Sequence, residues 1–223
     1  MEGFLKMLQS TDPYFPTGAF TLSNGLETYV QKGIVHDFKT MREYALSFLE
    51  NAAYNELGFM YHACRCKTDE EIIRLDALSA ASRSAAEVRR GMKRMCASFL
   101  RLHEGIGTGG ALMRYKAMID SGRCIGSYPV ALGIYCAQTG ADVRRALVMY
   151  GYSLLSALAV NGVKLIPLGQ SDGQRVIAES LGAVEAAVKT AMETDYEELG
   201  ISGGGFELRA VQHEGLYTRL YMS

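Results

Sequence analysis

The run from Ala146 to Val163, A-L-V-M-Y-G-Y-S-L-L-S-A-L-A-V-N-G-V, holds eighteen residues without a charge. A membrane span needs about 20 predominantly apolar residues, so the question of insertion arises. Asn161, two serines, two glycines and two tyrosines dilute the run, and no second span or flanking charge asymmetry accompanies it. A helix apolar all round in an otherwise charged chain is instead the central element of a bundle, wrapped by its neighbours. The expected fold is therefore all-α: a single-domain helical bundle around a central apolar helix at about residues 143–166.

The flanking segments have helical periodicity, and no stretch alternates long enough to argue for a sheet. Pro167 and Gly169 end the central helix, and Ser171 or Asp172 caps the next, whose buried stripe is Ile177, Leu181, Val184, Val188 and Ala191. On the N-terminal side, Ser127-Tyr128-Pro129 opens a helix with proline near its first position, and Gly140 closes it. A short helix covers Tyr115 to Ile119, and another carries Val88, Met92, Met95, Cys96 and Phe99. The opposite face of that last helix, Arg89, Arg90, Lys93, Arg94 and Arg101, is a basic stripe, either a solvated surface or a docking face for an acidic partner. Thr68 with Glu71 forms a capping box ahead of Ile72, Leu75 and Leu78. After the N-cap Asp37, the stripe Met41, Tyr44, Ala45, Phe48, Leu49, Ala52, Phe59, Met60 and Ala63 predicts one long amphipathic helix.

With 23 basic and 24 acidic residues the net charge is −1, which removes the bulk attraction typical of nucleic-acid or anionic-membrane binders; neither partner is expected. Five cysteines without framework spacing, and no signal peptide, predict a reducing, cytoplasmic location. Gly105-Ile106-Gly107-Thr108-Gly109-Gly110 has the letters of a dinucleotide loop, but a helical run precedes it and no acidic residue stands near position 130, so it reads as a helix connection. No P-loop is present. His62 and Cys66 share a helix face, yet two ligands do not close a metal site within one chain. His36, His103 and His213 are scattered, and no catalytic constellation is visible.

Near the N-terminus, Phe15-Pro16-Thr17-Gly18-Ala19-Phe20 and Ser23-Asn24-Gly25-Leu26-Glu27 suggest a rigid corner. A helix is expected to begin near Gly18, bury Leu22, Leu26, Tyr29 and Val30, and end at Gly33. The stretch from Leu8 to Gln31, L-Q-S-T-D-P-Y-F-P-T-G-A-F-T-L-S-N-G-L-E-T-Y-V-Q, resembles the N-terminal signature of the urease accessory protein F (UreF) family. Ile166 to Gln174, and His213-Glu214 with Tyr217-Thr218-Arg219-Leu220, resemble two later family motifs in the same order. Leu22 stands where the family has a histidine.

The resemblance implies a non-catalytic, cytoplasmic adaptor in urease maturation that binds the accessory protein called D or H and the nickel-carrying GTPase called G. It helps deliver nickel into apo-urease. Nickel and GTP then belong to partner proteins, this chain binds no cofactor tightly, and a homodimer is expected. The implied partner-binding residues are Phe15, Pro16, Gly18, Ser23, Gly25, Leu26 and Glu27; Gly169, Gln170, Asp172, Gly173 and Gln174; and His213, Glu214, Tyr217, Arg219 and Leu220, with no metal ligands. Each has a packing alternative: Phe15, Phe20 and Leu26 as core, and Gly169 to Gln174 as a turn between helices. The rival functions are a dimeric nickel metallochaperone using His62 and Cys66, and a helical nucleotide-binding enzyme using Gly105 to Gly110.

Two parts are expected: an all-helical domain over residues 1–199, and a Gly-rich linker with a flexible partner-binding tail over 200–223. Leu216, Tyr217, Leu220 and Tyr221 share a helical face in that tail, too short to order alone in water. Removing residues 206–223 is accordingly expected to leave the melting temperature nearly unchanged.

Overall fold

In the computed structural model, which describes residues 1–222 apart from the Phe20 side chain, the helices follow the caps read above. Helix α1 is Glu2–Thr11, α2 is Leu26–Gln31, α3 is Phe38–Tyr54, α4 is Glu56–Ala63, α5 is Asp69–Ala81 and α6 is Ala86–Gly105. Then come α7 (Gly110–Asp120), α8 (Tyr128–Thr139), α9 (Val143–Leu165), α10 (Gln170–Glu193) and α11 (Gly204–His213). Among the described residues there is no β-strand. Asp37 accepts from the Thr40 amide at 2.8 Å, Thr68 and Glu71 complete their capping box, and Gly140 closes α8 in the left-handed region at φ 64°.

Helix α10 packs along both α3 and α9, α4 lies against α8, and one hydrophobic core runs through all of them. Small residues set the closest approaches. A Cβ on Gly133 of α8 would sit 2.4 Å from the Met60 carbonyl of α4, and one on Gly162 of α9 would meet the Met41 sulfur at 2.8 Å.

Helix α9 is long and apolar enough to cross a membrane, but it is an element of the bundle rather than a fully wrapped axis. Half of its most apolar window is buried, and Tyr152 is 45% exposed. The stripe of α10 is also narrower than periodicity indicates: Ile177, Val184, Val188 and Ala191 are buried, whereas Leu181 is 46% exposed.

Two expected helices are interrupted. The corner does not run on as a helix from Gly18: a 3-10 turn covers Ala19–Thr21, and Asn24 and Gly25, at φ 52° and 88°, delay α2 until Leu26. Gly33, at φ 68°, ends α2 as expected. The long helix breaks at Asn55 (φ −117°, ψ −99°), where the backbone amide turns to the Ala52 carbonyl at 3.2 Å and the side-chain amide donates to the Ile201 carbonyl at 2.8 Å.

That contact also corrects the reading of residues 200–223, which are pinned to the body instead of hanging from it. Gly200 N donates to the Tyr54 carbonyl at 2.9 Å, and Asn51 Oδ1 accepts from Gly203 N at 2.9 Å and from the Ser202 hydroxyl at 3.1 Å. With Gly200, Ile201, Ser202 and Gly203 each bonded to the segment around the break in α3/α4, the glycine-rich composition does not make this stretch a free coil. Phe206 then enters a cluster with Tyr29, Tyr44 and Phe48 at ring distances of 6.1, 5.5 and 6.2 Å, and Ala210 is buried. Deleting residues 206–223 would strip that cluster, so a lowered melting temperature is expected in place of an unchanged one.

Candidate functional site

The sequence places Glu27 and His213 at opposite ends of the chain, and the fold brings them together. Gly25 is the first requirement, since a Cβ there would lie 3.4 Å from Ala210 N and 3.6 Å from the Phe206 carbonyl of α11. With α11 seated so closely, Glu27 in the first turn of α2 points inward and is 3% exposed. A buried carboxylate must find donors. One of its oxygens accepts from Leu220 N at 2.7 Å; the other accepts from Tyr221 N at 3.1 Å and lies 3.0 Å from His213 Nε2.

Helix α6 supplies a second carboxylate that the sequence did not reveal. Glu87 places one oxygen 2.7 Å from His213 Nδ1 and the other 2.6 Å from Arg219 Nη1, while its own amide donates to Glu214 at 3.2 Å. Both nitrogens of His213, itself fully buried, thus face carboxylates. Both can donate only if the ring carries two protons, in which case two anions face two cations and the set is neutral. The remaining turns of the chain close around α2. Gln31 Nε2 donates to the Thr218 carbonyl at 2.8 Å, Met222 N to the Thr21 carbonyl at 2.9 Å, and Arg209 stacks on the Tyr29 ring at 5.7 Å. Burial, with the Glu27 charge adding to it, holds the Tyr221 phenol above its ordinary value.

What this anchor presents outward is apolar. Tyr217 is fully exposed, Leu220 is 62% exposed, and Leu208, Val211 and Met222 are each close to half exposed. Arg94 Nη1 reaches Met222 Sδ at 3.6 Å, so the basic stripe of α6 borders the same surface.

The expected site residues therefore divide by location. Ser23, Gly25, Leu26, Glu27 and His213 are buried, while Glu214, Tyr217, Arg219 and Leu220 are exposed beside them. Phe15 is half-buried against Phe99 and His103 at 5.9 and 5.4 Å, while Pro16 and Gly18 are exposed. The packing alternative raised for Phe20 lies outside the described residues. Leu22 is buried against Gly91, where a Cβ would meet its Cδ2 at 2.7 Å, and its carbonyl accepts from Asn161 at 2.9 Å.

The third motif lies elsewhere, in the turn from α9 to α10. Asp172 accepts from Gly169 N at 3.0 Å, and Gly173 is buried where a Cβ would meet Val163 Cγ2 at 2.8 Å. Gln170 and Gln174 are exposed, and no hydrogen bond between described residues joins this turn to residues 206–222.

Among the described residues no group of three or more His, Cys, Asp or Glu side chains is arranged to hold a metal. His62 Nε2 lies 3.0 Å from the Thr194 carbonyl at the end of α10, and the Cys66 thiol donates to the His62 carbonyl at 3.5 Å, so each side chain already has a partner within the fold. The Gly105 to Gly110 segment joins α6 to α7, with a helix where a dinucleotide site needs a strand.

A family model described as UreF matches residues 35–181. A urease accessory protein UreF of Haemophilus influenzae (strain PittGG) is 34% identical over 97% of this chain and 94% of its own length. One of Actinobacillus pleuropneumoniae serotype 5b (strain L20) is 32% identical over 97% of both chains. One of Streptococcus salivarius (strain 57.I) is 30% identical over the whole of this chain and 96% of its own.

Proposed function

The chain belongs to the UreF family of urease accessory proteins, and from that premise we propose that it acts in urease maturation as a non-catalytic adaptor. In this role it binds the D/H accessory protein and the nickel-carrying GTPase G, works in the cytoplasm as a homodimer, and helps bring nickel to apo-urease. Nickel and GTP stay with the partners.

The observation that carries this reading is the surface built on the Glu27, Glu87 and His213 anchor. Tyr217 and Leu220 stand out from a segment whose backbone is fixed by Glu27, so two apolar side chains are presented with little left to order on binding. The surface is assigned to the D/H accessory protein. Buried Ser23, Gly25, Leu26, Glu27 and His213 position it, whereas Glu214, Tyr217, Arg219 and Leu220 touch the partner. Phe15, Pro16 and Gly18, with the turn from Gly169 to Gln174, serve the remaining contacts.

Co-expression with the D/H and G proteins, followed by sizing, tests the proposal. The expected result is one complex containing all three, and no GTP turnover by this chain alone. Separate elution of the D/H protein at micromolar concentrations would overturn the adaptor assignment.

A further inference from the structure

The corner from Thr11 to Asn24 borders a cavity of about 100 Å³ that α6, α9 and the start of α4 also line. Met92 and Met95 of α6, with Leu154 and Leu158 of α9, give it apolar walls. Its polar part is left incomplete by the fold. Asn161 of α9 is 2% exposed, and its Nδ2 donates to the Leu22 carbonyl at 2.9 Å. A carbonyl can only accept, so that bond fixes the orientation of the amide and leaves Oδ1 to find a donor elsewhere. This oxygen is buried with no hydrogen-bond partner among the described residues, and so is Glu56 Oε2 in the first turn of α4. Both residues line the same cavity. The other oxygen of Glu56 accepts from Arg83 Nη2 at 2.7 Å, and the Arg83 side chain is 6% exposed. Folded proteins pair nearly all their buried polar atoms, so two unpaired acceptors on one cavity mark a place where donors arrive from outside.

We propose that this cavity binds a small neutral molecule with a primary-amide head and a short apolar body, its N–H groups donating to Asn161 Oδ1 and Glu56 Oε2. The walls select each part of that molecule. Arg83 already matches the Glu56 charge, so a cation entering here would be buried without a counter-ion, and an anion would face two acceptors. A hydroxyl brings one donor, whereas a primary amide brings two and a carbonyl besides. Tyr128 and Tyr150, 5% and 2% exposed, line the cavity with phenols that burial holds above their ordinary values, so both keep the proton they would donate to that carbonyl. Water alone is a poorer occupant. It finds no partner beside Met92, Met95, Leu154 and Leu158, where a short alkyl body gains from burial. The site is separate from the outward apolar face, since neither Tyr217 nor Leu220 lines it.

The test uses the full chain with isotope-labelled methionine methyls, titrated with isobutyramide and followed by NMR. The expected result is saturable movement of the Met92 and Met95 signals, with Met118, which does not line the cavity, unmoved, and a dissociation constant of roughly 1 to 10 mM. Isobutyrate has the same skeleton with a charged head and no donor, and should move neither signal. Asn161→Leu should weaken isobutyramide at least roughly tenfold by removing one acceptor. Ala157→Leu extends a lining side chain into the space, and should abolish binding while melting with the parent. Met92 and Met95 signals still unmoved at about tenfold higher isobutyramide would overturn the proposal and leave a space for water only. An equal response to isobutyrate would overturn it as well, as would parent-like binding in Ala157→Leu. The first two readings come from the unmodified protein, so they hold whether or not either variant folds.

Discussion

His103 and His213 are both fully buried, yet their surroundings are opposite. His103 sits among rings, with Phe99 and Tyr135 at 4.4 and 4.1 Å, and its nitrogens face only the hydroxyls of Ser10 and Thr108 at 3.3 and 3.1 Å. Burial pushes it down to about 4, so it is a neutral core residue. His213 is held between Glu27 and Glu87, and with Arg219 it fastens the end of the chain to α2 and α6. The contrast teaches that a buried histidine takes its role from what faces its nitrogens. One belongs to the packing of the N-terminal corner, and the other is a fastener whose removal frees a surface.

The comparison breaks most severely if residues 206–223 are deleted. Loss of Phe206 and of the His213 anchor should cost at least about 3 kcal/mol in urea unfolding, and an unchanged midpoint would show that the segment is a bystander. Glu27→Ala comes next, at about 2 to 4 kcal/mol, because Leu220 N, Tyr221 N and His213 lose their shared acceptor. The same change should expose the chain beyond Gly215 to proteolysis. Equal protease resistance in variant and parent would mean that Glu27 does not fasten the segment.

A smaller effect belongs to His103. Its folded value of about 4 lies below the ordinary 6.5, so between those limits the unfolded chain takes up a proton that the folded one refuses. Stability should fall as pH drops from 6.5 to 4, by about 1 to 3 kcal/mol from this group. His103→Gln should flatten that part of the pH profile. Identical profiles in the two proteins would show that His103 titrates normally.

The helices were legible wherever their signal was local. Asp37, the Thr68 and Glu71 box, Pro129 and Gly140 each act within a few residues, and α9 lies where the uncharged run placed it. The break at Asn55 was not legible, because the stripe continues on both sides of it and the carbonyl that the Asn55 side chain meets is 146 residues away. The candidate site divided in the same way. Glu27 and His213 were singled out through the family motifs, but nothing local pairs residues 186 apart. Glu87 gave no signal, since an acidic residue in the first turn of a helix is ordinary. Glycine content was misleading at Gly200 to Gly205, where the binding groups that pin the chain belong to Asn51, Tyr54 and Asn55.

The central claim is that the fastened segment holds its partner through the side chains it turns outward. Tyr217→Ala combined with Leu220→Ala tests it most directly, because Tyr217 is fully exposed and Leu220 meets Glu27 only through its backbone. Stability should stay within about 0.5 kcal/mol of the parent. Titration with the purified D/H accessory protein should show affinity at least roughly a hundredfold weaker, the loss of two well-placed apolar anchors. Undiminished affinity in a variant that melts with the parent would contradict the claim.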